Sequence, residues 1–201
     1  RADGLTVAPG LTGTVFYAPG GVVRFLPFTA GATIGLGGSG DTTTYATSLL
    51  QRVDTGRLVI GSDTAGTITL RQALDLTGAS GPDALELRSG ADILAGGFNL
   101  SLHEVSAFAG GNVVLGTAGS AIERIAAGEG TTDGIRAGGT VSVATGGTLA
   151  VDAAIRADGA TITLQAGDLV LAAGADLQTG AVARSPITPR STATAGPALA
   201  V

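Results

Sequence analysis

The feature that most constrains this chain is a short internal repeat. Ile135-Arg136-Ala137-Gly138-Gly139 returns as Ile155-Arg156-Ala157-Asp158-Gly159, twenty residues later. Val141-Ser142-Val143 with Gly146 returns as Ile162-Thr163-Leu164 with Gly167, and Leu149-Ala150-Val151 returns as Leu169-Val170-Leu171. Each piece alternates apolar, small and apolar residues, the period of a strand with one buried face. Glycine, Asp or Ala separates the pieces. Strands this short cannot stand alone, and twenty residues cannot enclose a core. Stacking solves both problems: equivalent strands pair in parallel about 4.8 Å apart and like side chains form rows inside. The spacing therefore predicts a parallel β-helix, or β-solenoid, with coils of about 20–25 residues and some eight or nine coils in all.

Composition agrees. Thirty-four of 201 residues are Gly, there is no Cys, Met or Trp, and only five Phe and two Tyr are present. A narrow interior needs Val, Ile, Leu and Ala, with Gly at its corners. At 44% apolar and 13% charged residues, the chain lies outside the composition of disorder. The glycines keep no three-residue period, which excludes collagen. The longest apolar runs, such as Leu169 to Ala173, are far below the roughly 20 residues of a membrane helix. Without Cys there are no disulfides, thiolate chemistry or zinc–thiolate sites. All eleven basic residues are Arg, scattered singly in a chain of net charge -5, so nucleic acid is not an expected partner. Residues Arg1 to Gly10 contain no Met, basic stretch or apolar run, so a mature product or an excised fragment is expected.

The earlier half follows the scheme less regularly. Strands are expected at Gly66–Leu70, Leu74–Leu76, Ala84–Leu87, Asn99–Leu102 and Asn112–Leu115. Glu129 to Gly134 lengthens one coil to about 28 residues and reads as an external loop. Asp41 and the apolar residues Leu49, Leu50 and Val53 predict a short helix of about two turns near 46–53, with Asp41 as its cap. Residues 1–30, rich in aromatics, read as an irregular β segment, a side hairpin or a cap. Residues 31–183 form the β-helix, and residues 184–201 are a Pro/Ser/Thr/Ala tail.

The stretch Leu49-Leu50-Gln51-Arg52-Val53-Asp54-Thr55-Gly56-Arg57-Leu58-Val59-Ile60-Gly61, with Gly66-Thr67-Ile68-Thr69-Leu70, resembles the internal repeats of filamentous-haemagglutinin-like exoproteins of Gram-negative bacteria. The phrases of Gly138 to Gly167 are similar to the same stock, and the likeness covers most of residues 49–180. It implies a right-handed β-helix shaft, secreted by a type V route, commonly two-partner secretion, and exposed at the cell surface for adhesion or cell contact. Implied partners are an outer-membrane transporter for the parent protein and a host or bacterial surface receptor or glycan. The family's amino-terminal Asn-Pro-Asn-Gly signature has no counterpart here.

Candidate sites carry little chemistry. Gly35-Leu36-Gly37-Gly38-Ser39-Gly40 fits G-x-G-x-x-G, but at this glycine content such a match arises by chance roughly once per 200 positions. No alternating β/α pattern follows it, so it reads as a glycine corner. Gly37 to Asp41 is near a calcium nonapeptide, yet Asp41 falls one residue early and no tandem copy exists. Weak calcium binding between Asp residues of adjacent coils is the remaining metal reading. A polysaccharide lyase or hydrolase needs carboxylates and Arg converging on one face. Arg136 and Arg156 are expected to stack, with Asp152, Asp158, Asp168 and Asp176 nearby as corner residues. His103, beside Glu104, reads as a surface corner residue. Outward Thr67, Thr69, Thr140, Thr148, Thr161 and Thr163 raise an ice-binding face, without a regular Thr array. The expectation is therefore a structural, adhesive segment with no catalytic residues, metal or cofactor, whose uncovered ends are able to self-associate, even into filaments.

Overall fold

The computed structural model describes Leu5 and residues 13–158 and 161–180. The tail reading of 184–201 lies outside these, as does most of 1–12. The chain enters on β1 (Phe16–Phe25), β2 (Ile34–Leu36) and β3 (Thr43–Tyr45), makes one helical turn α1 (Thr47–Leu50), and continues as β4 (Val53–Ser62). There follow β5 (Ile68–Leu70), β6 (Leu74–Asp75), β7 (Ala84–Ser89), β8 (Ile93–Ala95) and β9 (Leu100–Ala109). Next come β10 (Val113–Leu115), β11 (Ala121–Ile125), β12 (Asp133–Ala137) and β13 (Val141–Ala144). The last are β14 (Thr148–Val151), β15 (Ala154–Ala157), β16 (Ile162–Gln165), β17 (Asp168–Leu171) and β18 (Leu177–Thr179). No helix among the described residues is long and apolar enough to cross a membrane.

The strands form an eleven-stranded and a seven-stranded sheet, and the recorded strand pairs are all parallel. The smaller runs β16-β13-β10-β8-β5-β2-β3. In the larger, β9 is the hub: Leu100 and Ser101 lie beside β6, Glu104 to Ala109 beside β7, and its other edge takes β11 and then β12. Parallel partners cannot be joined by tight hairpins, so most successive partners are separated by a strand of the other sheet, while β2 and β3 are joined through residues 37–42.

Register turns the repeat into rows of side chains. Ile60, Leu87, Ala107, Ile135 and Ile155 are consecutive partners, as are Ile34, Ile68, Ile93, Val113 and Val141. None of the ten is more than 1% exposed, and all belong to one hydrophobic cluster. Each fully buried Ile or Leu contributes roughly 1.5–3 kcal/mol, which is what holds such short strands together. Hydroxyls stitch the layers at the corners. Buried Ser120 Oγ accepts from the Leu100 and Thr117 amides, and Thr145 Oγ1 donates to the Ser120 carbonyl at 2.9 Å while accepting from the Ile122 amide. At Gly116, φ is +68° and an added Cβ would land on the Ala144 carbonyl, so only Gly serves there.

Four expectations change. Register partners lie from nine residues apart (Ile34 and Thr43) to thirty-seven (Phe16 and Val53), a wider range than 20–25. Among the described residues seven strands stack in the smaller sheet, where eight or nine coils were expected in all. The helix is one turn, because Val53 already begins β4; its N-cap is Ala46, with no side-chain cap. The aromatic β1 is no hairpin arm: it pairs in parallel with β4, and Phe25 packs against Phe16 and Tyr45.

Candidate functional site

The outward surface of β4, β7 and β9 is not bare. Alternation places Glu86 outward on β7, between buried Leu85 and Leu87, yet its side chain is 0% exposed. The segment 126–132, the extra length of the 28-residue coil, folds back over it. Glu86 Oε2 accepts from the Glu129 amide at 2.7 Å and from Arg57 Nη1 at 3.2 Å, and Oε1 accepts from Arg88 Nε at 2.5 Å. The same two arginines donate to the loop carbonyls: Arg57 Nη2 to Ala127 at 3.1 Å and Arg88 Nη2 to Glu129 at 3.3 Å. Arg24 pairs with the Glu129 carboxylate. A buried carboxylate survives only when paired and hydrogen-bonded, and here strand and loop together satisfy it. The loop is external, as expected, but it is a strap.

Beside the strap runs a groove of about 590 Å³. Its floor is Arg88, Phe108 and Arg136, consecutive partners on β7, β9 and β12, and the row continues beyond it through Arg156 and Gln178 on β15 and β18. Arg88 lies 4.8 Å over the Phe108 ring. One wall is Glu129 to Thr131; the other is the corner Gly90, Gly110 and Gly138. Glycine is required on that wall, because a Cβ on Gly110 would strike the Gly90 carbonyl, and one on Gly138 the Gly110 carbonyl. A second hollow of about 340 Å³ shares Asp133, Arg136 and Asp158 with the first and reaches Gln178.

The stacking of Arg136 on Arg156 is as expected from the repeat. Of the carboxylates expected near them, Asp158 and Asp176 are there and Asp152 and Asp168 are not. Asp158 is 3.9 Å from Arg136, and Asp176 reaches the row through the Gln178 amide. Asp152 lies elsewhere, paired with Arg124 at 3.2 Å, and Asp168 pairs in register with Thr148. Asp133, unmarked in the sequence reading, holds Arg156 Nε at 2.7 Å, and that hydrogen bond keeps the guanidinium pKa raised. Asp63 and Glu129 complete the acidic lining. Each of the four groove carboxylates thus has an arginine partner.

The remaining candidates disperse. His103 is not at a corner: it sits within β9, and its Nδ1 is 3.1 Å from Glu123, which raises the imidazole pKa. Asp41 is neither a helix cap nor an open ligand, since Arg71 Nε and Nη2 grip its two oxygens at 2.7 and 2.9 Å. Gly35 and Leu36 are part of β2, and Gly37 to Gly40 turn away from it; a Cβ on Gly38 would meet Arg71. The outward row of the smaller sheet reads Thr44, Gly35, Thr69, Leu94 on one side and Val114, Ser142, Thr163 on the other, so Leu and Val interrupt any threonine array. Among the described residues no three His, Cys, Asp or Glu side chains group as metal ligands. No family model, curated protein or solved structure matches this chain.

Proposed function

We propose that the chain is a segment of a parallel β-helix shaft that serves adhesion or cell contact as part of a large secreted surface protein. The observation that carries it is the parallel pairing from β4 through β15, with one row of aliphatic side chains running through it. Such a ladder is stiff along its axis and lengthens by repetition, which suits a spacer that presents binding surfaces away from a cell. Right-handed winding, type V export and an outer-membrane transporter partner come from the resemblance at residues 49–180. Seven layers at ~4.8 Å give roughly 30 Å of shaft. Solution scattering of a tandem fusion of two segments tests the shape: the particle should lengthen by roughly 30 Å at constant cross-section, and growth in cross-section overturns it. Beads coated with the segment test the role: they should adhere to bacterial or host cells above uncoated beads.

A second reading has its own observation. Four carboxylates and three arginines along one groove are the residue types of a carbohydrate-cleaving β-helix. Each of the four is already ion-paired with an arginine, which favours a structural or binding role. Release of reducing ends from polysaccharides by the purified segment would establish the enzyme reading, and no turnover is the expected result.

A further inference from the structure

We infer that the strap is a mechanical brace: it joins the layers from β4 to β12 into one block that opens in a single step under load, while the coils beyond it peel away one at a time. Unlike the adhesive reading, this concerns how the ladder itself yields, and it holds whatever the shaft presents.

In a stacked fold each coil touches only its neighbours, so coils can part from an end one after another. Typical ties between coils here follow that rule. Asn112 Nδ2 donates to Asp92, Arg124 Nη1 to Glu104 and Arg156 Nε to Asp133, partners 20, 20 and 23 residues apart on successive layers. The ties beneath the strap skip layers. Arg57 on β4 reaches past β7 to the Ser106 hydroxyl on β9 at 3.2 Å, 49 residues on, and to the Ala127 carbonyl at 3.1 Å, 70 residues on. On β7, Glu86 accepts from the Glu129 amide across 43 residues, and Arg88 donates to the Glu129 carbonyl across 41. Gly128 lies so close over Phe108 of β9 that a Cβ there would strike the ring.

Burial makes these ties act together. Glu86 is wholly shielded, and the Arg57 and Arg88 side chains are only 20% and 27% exposed. Lifting the strap takes the Glu129 amide from Glu86 and a carbonyl from each arginine at once, so the contacts of three layers fail as a unit. Peeling from the C-terminal end frees β18 back to β13 without touching this cluster, and next meets the strap. Peeling from the N-terminal end frees β1, whose link to the strap is the exposed and therefore weak Arg24–Glu129 pair, and then meets Arg57 on β4. Both fronts stop at the same cluster.

The test pulls the whole chain by its two termini in optical tweezers at slow loading. Residues 53–137, about 85 in number, hold roughly 280 Å of extended chain, whereas a coil of twenty residues holds roughly 65 Å. Expected are short steps of the second kind, then one step near the larger length at higher force. Glu86→Ala should split that step into coil-sized ones. Arg57→Met should do the same while keeping the Glu86–Arg88 pair, so it carries the test if the first variant does not fold. Glu129→Ala removes the side-chain pair with Arg24 but keeps the backbone contacts of the strap, and it should leave the large step whole. Coil-by-coil opening of the unsubstituted chain, or a large step that survives Arg57→Met, overturns the inference. The adhesive reading fails separately, on scattering of the tandem fusion and on bead adhesion.

Discussion

Glu86 and Leu171 invert each other. Glu86 is a charged residue at an outward position, and it is wholly buried. Leu171 is an apolar residue at an inward position, next in the row Leu58, Leu85, Val105, Ile125 and Val151, and it is 42% exposed where its five predecessors are at most 1%. Alternation is intact at both. What differs is the chain lying over them: the 126–132 strap covers Glu86, and among the described residues no strand stacks beyond β17 over Leu171. The opposite end is closed, with Tyr45, Leu49 and Leu50 all at 2% exposure or less. In a stacked fold, then, strand pattern decides which way a side chain points, and the next segment decides whether it is dry.

The largest expected effect lies under the strap. Glu86→Ala should cost about 3–5 kcal/mol in urea unfolding, because Arg57 and Arg88 lose their shared acceptor and the Glu129 amide is orphaned. A loss below 1 kcal/mol would mean that water already satisfies these groups. Next is the row itself. Ile125→Ala, dry on both sides, should cost about 2–4 kcal/mol, and Leu171→Ala less than about 1 kcal/mol; equal losses would break the comparison. Third, hydrogen exchange should be faster in β17 and β18 than in β7, β9 and β12, and a fusion that adds a further repeat after Gly180 should slow it.

The smallest effect comes from uncovered charge. His103 and Glu123 pair on the open surface, with side chains 46% and 60% exposed. The folded-state pKa of His103 is raised above the usual value of about 6.5, so the pair's contribution is full below that value. It is lost as pH rises through the folded value, and solvent screening holds it to a few tenths of a kcal/mol. Asp75 titrates the other way. The Thr77 hydroxyl and then its amide lower the Asp75 pKa, so that turn is strongest above the usual carboxylate value of about 3.9 and loosens in acid. Melting curves of His103→Gln and Asp75→Asn across pH 3–9 check both signs.

Much of the architecture was legible where the repeat is local. Ile135 with Ile155, Val141 with Ile162 and Leu149 with Leu169 are register partners because alternation and spacing agree there. Ile93–Ala95, Ala121–Ile125 and Leu177–Thr179 passed unmarked, since Gly96 follows the first, Glu123 and Arg124 interrupt the second, and polar residues follow the buried position of the third. Glu86 was illegible for a different reason. Its partners lie twenty-nine residues before it and forty-three after, and only the stacking brings them together. Asp133 was missed with them: it opens the strand after the strap, where no copy of the repeat extends. The cheap signal for the site was present in the insertion itself, since extra residues in a compact repeat must lie over something.

The strap has a consequence for how such a chain can change. Parallel pairing resumes after it: Arg124 faces Ala150 before the strap and Arg136 faces Arg156 after it, with one irregularity between Asp133 and Ile135. The extra length of that coil is taken up at one corner and a single bulge. New sequence can enter at that corner, be tried against the outer surface, and be discarded, while the body of the protein goes on copying itself.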